Sequence, residues 1–114
     1  MDPAAVKTEE QVRRALATLK ERLTGMLGSS LVKLALYGSR ARGDYDPDSD
    51  IDVAVIVRGL DKDLKARIFD EVADVELDQL IALSTLVLSE SDYQDLLAHE
   101  RRIALDIEEE GIPL

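Results

Sequence analysis

The chain has 114 residues, enough for one hydrophobic core and too few for a two-domain enzyme. Apolar residues make up 46%, which excludes a disordered chain, and the lack of cysteine excludes a disulfide scaffold or a thiolate metal site. The net charge of −10 is uneven: residues 58–114 hold 6 Lys/Arg against 15 Asp/Glu, a net of −9, which disfavours duplex nucleic acid and suits a basic protein partner. No apolar run approaches the ~18 residues of a membrane span. The N-terminus lacks the basic and then apolar pattern of a signal peptide, so a cytoplasmic protein is expected.

Residues 8–27 carry Val12, Leu16, Leu19, Leu23 and Met26 at spacings of three and four, which predicts an amphipathic helix. Thr8 suits its N-cap, Gln11 completes a capping box, and Gly28-Ser29-Ser30 ends it. Residues 31–37, "LVKLALY", predict a strand bounded by Ser30 and Gly38. Next come a helical turn over "SRARGD" and a turn over "GDYDPDSD". Residues 51–57, "IDVAVIV", are apolar on both faces after Asp52 and predict a strand buried in mid-sheet.

A second helix is predicted over 60–74, with a stripe of Leu60, Leu64, Ile68 and Val72 widened by Phe69 and Ala73. The pattern beyond Ala73 fits either continued helix or turn. Residues 83–88, "LSTLVL", predict a third strand, and Ser89 or Ser91 caps a short helix through Leu97. A last helix over about 100–110 turns Ile103, Ala104 and Ile107 inward, Gly111 stops it, and "IPL" trails as an extended tail. Three strands alternating with helices predict a single α/β or α+β domain over 1–114.

The stretch from Leu36 to Asp52, "LYGSRARGDYDPDSDID", carries the chemistry. Carboxylates that close repel one another unless something cationic sits among them. Asp50 and Asp52 stand at i and i+2 of a strand start, so they project together while Ile51 and Val53 point into the core. A pair of hard oxygen ligands at a sheet edge suits Mg²⁺, with water and phosphate completing the shell. Gly38 allows close backbone approach to a ligand, Ser39 adds a hydroxyl, and Arg40 and Arg42 bring charge for a phosphate. Asp44, Asp46 and Asp48 are expected to face solvent.

Gly38-Ser39, ten intervening residues and Asp50-Ile51-Asp52 entering an apolar strand resemble the signature of the DNA polymerase β-like nucleotidyltransferase superfamily. Essentially the whole chain is similar to its minimal nucleotidyltransferase domains. The resemblance implies a palm-like fold, a small mixed sheet of at least three strands flanked by helices. It further implies transfer of a nucleoside monophosphate, AMP from ATP in the commonest case, to an acceptor hydroxyl. Asp50 and Asp52 would be catalytic and hold Mg²⁺, and Gly38, Ser39, Arg40 and Arg42 would hold the triphosphate. The implied setting is an antitoxin whose partner is a helical HEPN-class ribonuclease, modified on a tyrosine or neutralised by binding. A homo-oligomer is also compatible.

The family often adds a third carboxylate from the strand beside the Asp-x-Asp strand. Here the aligned position is Ser84, while Asp74, Glu76 and Asp78 are expected on the preceding helix or turn. The alternative function is therefore a nucleotide-binding module with weak or no catalysis. His99 reads as a surface or capping residue, Tyr45 as a turn residue that shields its neighbours or stacks on a base, Tyr37 and Tyr93 as packing residues. "DIEEEG" reads as a solvated helix face.

Overall fold

The computed structural model describes residues 8–114. Helix α1 runs Glu9–Leu27, with both halves of the Thr8/Gln11 capping box formed: the Gln11 N–H donates to Thr8 Oγ1 at 3.0 Å and the Thr8 N–H to Gln11 Oε1 at 2.9 Å. A single 3₁₀ turn, Gly28–Ser30, leads into strand β1, Leu31–Tyr37. The short helix α2, Ser39–Arg42, and the acidic turn follow, then strand β2, Asp52–Val57.

Helix α3 runs Lys62–Gln79, starting at the Asp61 N-cap, so Leu60 precedes it and the ambiguous stretch beyond Ala73 is helical. Strand β3 spans Ser84–Ser89, and Ser89 caps helix α4, Glu90–Ala98, by accepting the Asp92 N–H. Helix α5 is Arg102–Glu110. The tail adds a two-residue strand β4, Ile112–Pro113, anchored by the Leu114 N–H donating to Leu34 O at 2.9 Å.

The sheet order is β3-β2-β1-β4, with β2 and β3 parallel and the other pairs antiparallel. The expected mixed sheet therefore has a fourth strand. Period-two alternation divides β2 between two cores. Val53, Val55 and Val57 join α1 and α3 on one face, and Ala54 and Ile56 join α4 and α5 on the other. All five are fully buried, the state that residues 51–57 predict.

Two details of the predicted stripes differ. Phe69 and Ala73 do not widen the core face of α3; both are exposed, and Val75 takes that place. Ile103 is exposed on α5, while Ala104 and Ile107 are buried. Each departure has one cause. A helix packed on one sheet face buries a narrow arc, and residues about 100° from its centre stay outside. Among the described residues no helix is long and apolar enough to cross a membrane.

Candidate functional site

The site begins where β1 ends. Gly38 has φ +77 and ψ −157, a conformation that residues with a Cβ scarcely adopt. A Cβ placed there would run into the Asp52 carboxylate. The Gly38-Ser39 turn thus lies against the start of β2, and only a missing side chain permits it. The four-residue helix α2 follows at once, with its Ala41 and Arg42 N–H groups both donating to Gly38 O.

Asp52 stands opposite Tyr37 in the antiparallel β1–β2 register and opposite Ser84 in the parallel β2–β3 register. Alternation turns it to the α4–α5 face, while Ile51 and Val53 are fully buried beneath. Asp50 is exposed and Asp52 half-buried. Partial burial pushes the Asp52 carboxyl above its ordinary pKa, and the Asp50 charge pushes it further. Hydrogen bonding from Ser84 and the Arg42 charge act the other way. Tyr37 is raised too, by burial first and then by Asp52. Sequence alternation alone does not reveal Tyr37 as a neighbour of the pair; the β1–β2 register does.

Ser84 occupies the strand position where a third acid would face Asp52. Asp74 and Asp78 are exposed on α3, and Glu76 accepts the Leu83 N–H at 2.9 Å. Among the described residues no three His, Cys, Asp or Glu side chains are grouped to hold a metal ion. Two carboxylates remain that oppose each other and sit beside a glycine turn. That donor set fits a hard divalent cation taking most of its oxygens from water and a phosphate ligand.

The two arginines part company. Arg40 is buried, and its guanidinium donates to three carbonyls of the acidic turn: Ser49 at 3.2 Å, Pro47 at 3.1 Å and Asp46 at 3.5 Å. It also stacks on the Tyr45 ring, 4.6 Å from the centroid, and the Tyr45 hydroxyl donates to Glu9. The structure therefore occupies Arg40 with shaping the loop that delivers Asp50, where a phosphate contact is expected from sequence. Arg42 is exposed and pairs with Asp44 at 3.3 Å and Glu110 at 3.2 Å. Asp44, Asp46 and Asp48 face solvent as expected.

The remaining candidates stand apart from this cluster. His99 ends α4, its Nδ1 2.7 Å from Asp95 O. Tyr93 is buried and donates to Glu108 at 2.6 Å, and Lys33 reaches the same carboxylate at 3.1 Å. "DIEEEG" is thus more than a solvated face, since Glu108 and Glu110 both bind groups from other elements. Sequence periodicity does not show this because the partners, Lys33 and Arg42, lie more than sixty residues away.

Asp52→Asn is expected to raise the melting temperature at pH 7 in the absence of divalent cations. A carboxyl whose pKa is raised by folding stabilises the fold while protonated, below its unfolded pKa, and loses that contribution as pH rises through the folded value. Asparagine stays neutral, so its advantage should fade as pH falls below the ordinary carboxylate range. A lower melting temperature for the variant at pH 7 would make Asp52 a structural residue.

Comparison with known proteins bears on this arrangement. A family model described as a nucleotidyltransferase domain matches residues 12–109. A "putative protein adenylyltransferase" of Methanocaldococcus jannaschii is 35% identical over 48 residues, which are 42% of this chain and 48% of that protein. The match thus spans about half the length of that relative. The crystal structure of a "putative nucleotidyltransferase" from Sulfolobus solfataricus superposes with a TM-score of 0.55 at 23% identity, covering 99% of this chain and 87% of the other, which shows a shared fold.

Proposed function

The chain belongs to the nucleotidyltransferase domain family, and from that premise we propose that it transfers AMP from ATP, with Mg²⁺, to a tyrosine hydroxyl of a helical HEPN-class partner, and so acts as an antitoxin. Residues 1–114 serve as a minimal transferase domain. The observation that carries this reading is the mutually repelling Asp50–Asp52 pair, with Asp52 half-buried against a turn that only Gly38 permits. The name of the Methanocaldococcus relative supports AMP and a protein acceptor.

Asp50 and Asp52 hold the cation, which when bound neutralises phosphate charge and orients the nucleotide. The Gly38 backbone and the Ser39 hydroxyl bind the triphosphate. Arg42 gives up exposed ion pairs, worth about 0–1 kcal/mol each, to reach it. Arg40 fixes the loop carrying Asp50. The acceptor oxygen forms its bond to the α-phosphorus, the bond to the β-phosphate oxygen breaks, pyrophosphate leaves and the hydroxyl proton passes to water. In this reading the partner supplies the acceptor surface. Incubating the chain and the neighbouring gene's product with Mg²⁺ and α-labelled ATP should label the partner, and Asp52→Asn should remove the label. An unlabelled partner that is still bound and inhibited would refute transfer.

Ser84 favours a second reading, in which the domain binds nucleotide and neutralises its partner by contact alone. Ser84→Asp separates the two. Neighbouring strands are about 4.8 Å apart, so the new carboxylate joins Asp52 on one face. In a transferase the transfer rate should change, with an increase expected, while ATP affinity moves little. In a binding module the substitution should only add repulsion, lowering stability by about 1 kcal/mol.

A further inference from the structure

The outer face of α3 carries apolar residues that no element among the described residues covers. Ala66, Phe69, Ala73, Leu77 and Leu80 recur at spacings of three and four, all exposed. Phe69 is 41%, Leu77 72% and Leu80 84% exposed. A shallow, open depression of about 470 Å³ lies beside the C-terminal part of this stripe, between Leu77, Leu80 and Ala82. Leu80 also holds a left-handed backbone, φ 53 and ψ 47, where a helix end ordinarily has glycine or asparagine. A strained, exposed leucine costs stability, and no burial among the described residues offsets that cost.

Charge selects the occupant. Asp70, Asp74 and Asp78 line one side of the stripe, all exposed. Among the described residues none has a salt-bridge partner, although Arg22 reaches Glu71 nearby. A second copy fits poorly. Two α3 helices packed antiparallel about Ala73 would set Phe69 on Leu77 and exposed Arg67 near Asp78 at each end, but the same two-fold axis gathers Asp70 and Asp74 of both copies at the centre, within about two helical turns. Like charges so placed repel, whereas a cationic partner relieves them.

We infer that the exposed face of α3, from Ala66 to Leu80 with its acidic border, is a docking surface for an amphipathic helix of a partner protein that carries lysine or arginine beside its apolar seam. The stripe is about four turns long, so the partner helix is of about that length. It lies on the face of the sheet opposite Asp52, and docking there is independent of nucleotide chemistry.

The test titrates the full chain with two synthetic helical peptides of eighteen residues. Both have leucines at spacings of three and four; one has flanking lysines and the other glutamates. The lysine peptide should bind, weaken with added salt and shift α3 amide resonances, and the glutamate peptide should not. Leu77→Asp should cut affinity about tenfold or more. It should leave binding of ATP with Mg²⁺ unchanged, which separates a failure here from a failure of the proposed transferase site. Leu80→Gly should weaken peptide binding while keeping or raising the melting temperature, because the left-handed strain is relieved. Equal binding of both peptides, no binding of the lysine peptide, or full affinity in Leu77→Asp would overturn the inference. So would a dimer in sedimentation that Leu77→Asp dissolves, since the second copy would then be the occupant.

Discussion

Gly38→Ala is expected to slow nucleotide transfer about a hundredfold and to lower stability by about 2–4 kcal/mol. Two independent effects act at this position. The backbone lies in a region essentially reserved for glycine, which alone costs about 1–3 kcal/mol for another residue. The added methyl group also collides with the Asp52 carboxylate, so either the turn or the acid must move. Either movement separates the groups that are to hold cation and phosphate, and a displacement of about 1 Å in a reacting geometry costs about a hundredfold in rate. Gly43→Ala is the control. Gly43 is also left-handed, at φ +87, but nothing among the described residues lies within 4 Å of a Cβ there. It should lose about 1 kcal/mol and retain transfer. Thermal unfolding and a single-turnover assay distinguish the two variants; matching losses of activity would remove the special status of the Gly38–Asp52 contact.

Arg40→Ala is expected to lower stability by about 3 kcal/mol and the melting temperature by about 10 °C or more. The side chain is buried, and three carbonyls of the acidic turn take their hydrogen bonds from it. Without it those oxygens lose a charged donor, Tyr45 loses the guanidinium over its ring, and the loop ahead of Asp50 is untied from α2. Arg40→Lys should rescue little, because a single ammonium cannot reproduce the planar fork. Arg42→Ala should behave in the opposite way. Its partners are exposed, so stability should change by less than about 1 kcal/mol, while ATP affinity falls if Arg42 meets the triphosphate. A stable Arg40→Ala variant with weakened ATP binding would return Arg40 to the ligand.

Short-range features were legible in the residues alone. Thr8 and Gln11 lie three apart and form their capping box whatever the rest of the chain does. The unbroken apolar run after Asp52 required a strand covered on both faces, and β2 is that strand. Gly38-Ser39 and Asp50-Ile51-Asp52 bracketed the candidate site because each depends on local geometry: a backbone conformation open to glycine, and a period of two that puts alternate carboxylates together. The family resemblance, rather than any local pattern, placed Ser84 beside Asp52, and the β2–β3 register puts it there.

Tertiary structure decided what each charged group touches. Arg40 and Arg42 are two residues apart and chemically identical, yet folding buries one among carbonyls and leaves the other exposed between Asp44 and Glu110. Tyr37 neighbours Asp52 through a register that no local pattern specifies. Glu108 meets Lys33 and Tyr93 from different elements. The tail became a fourth strand because β1 had an open edge for Ile112 and Pro113 to pair with. On α3, periodicity marked Ile68 and Val72 as inward but not the width of the buried arc; Val75 was buried and Phe69, Leu77 and Leu80 were left outside. Periodicity and turn chemistry act over a few residues and can be read along the chain, whereas ion pairing and burial depend on contacts across dozens of residues, which exist only once the layers have packed.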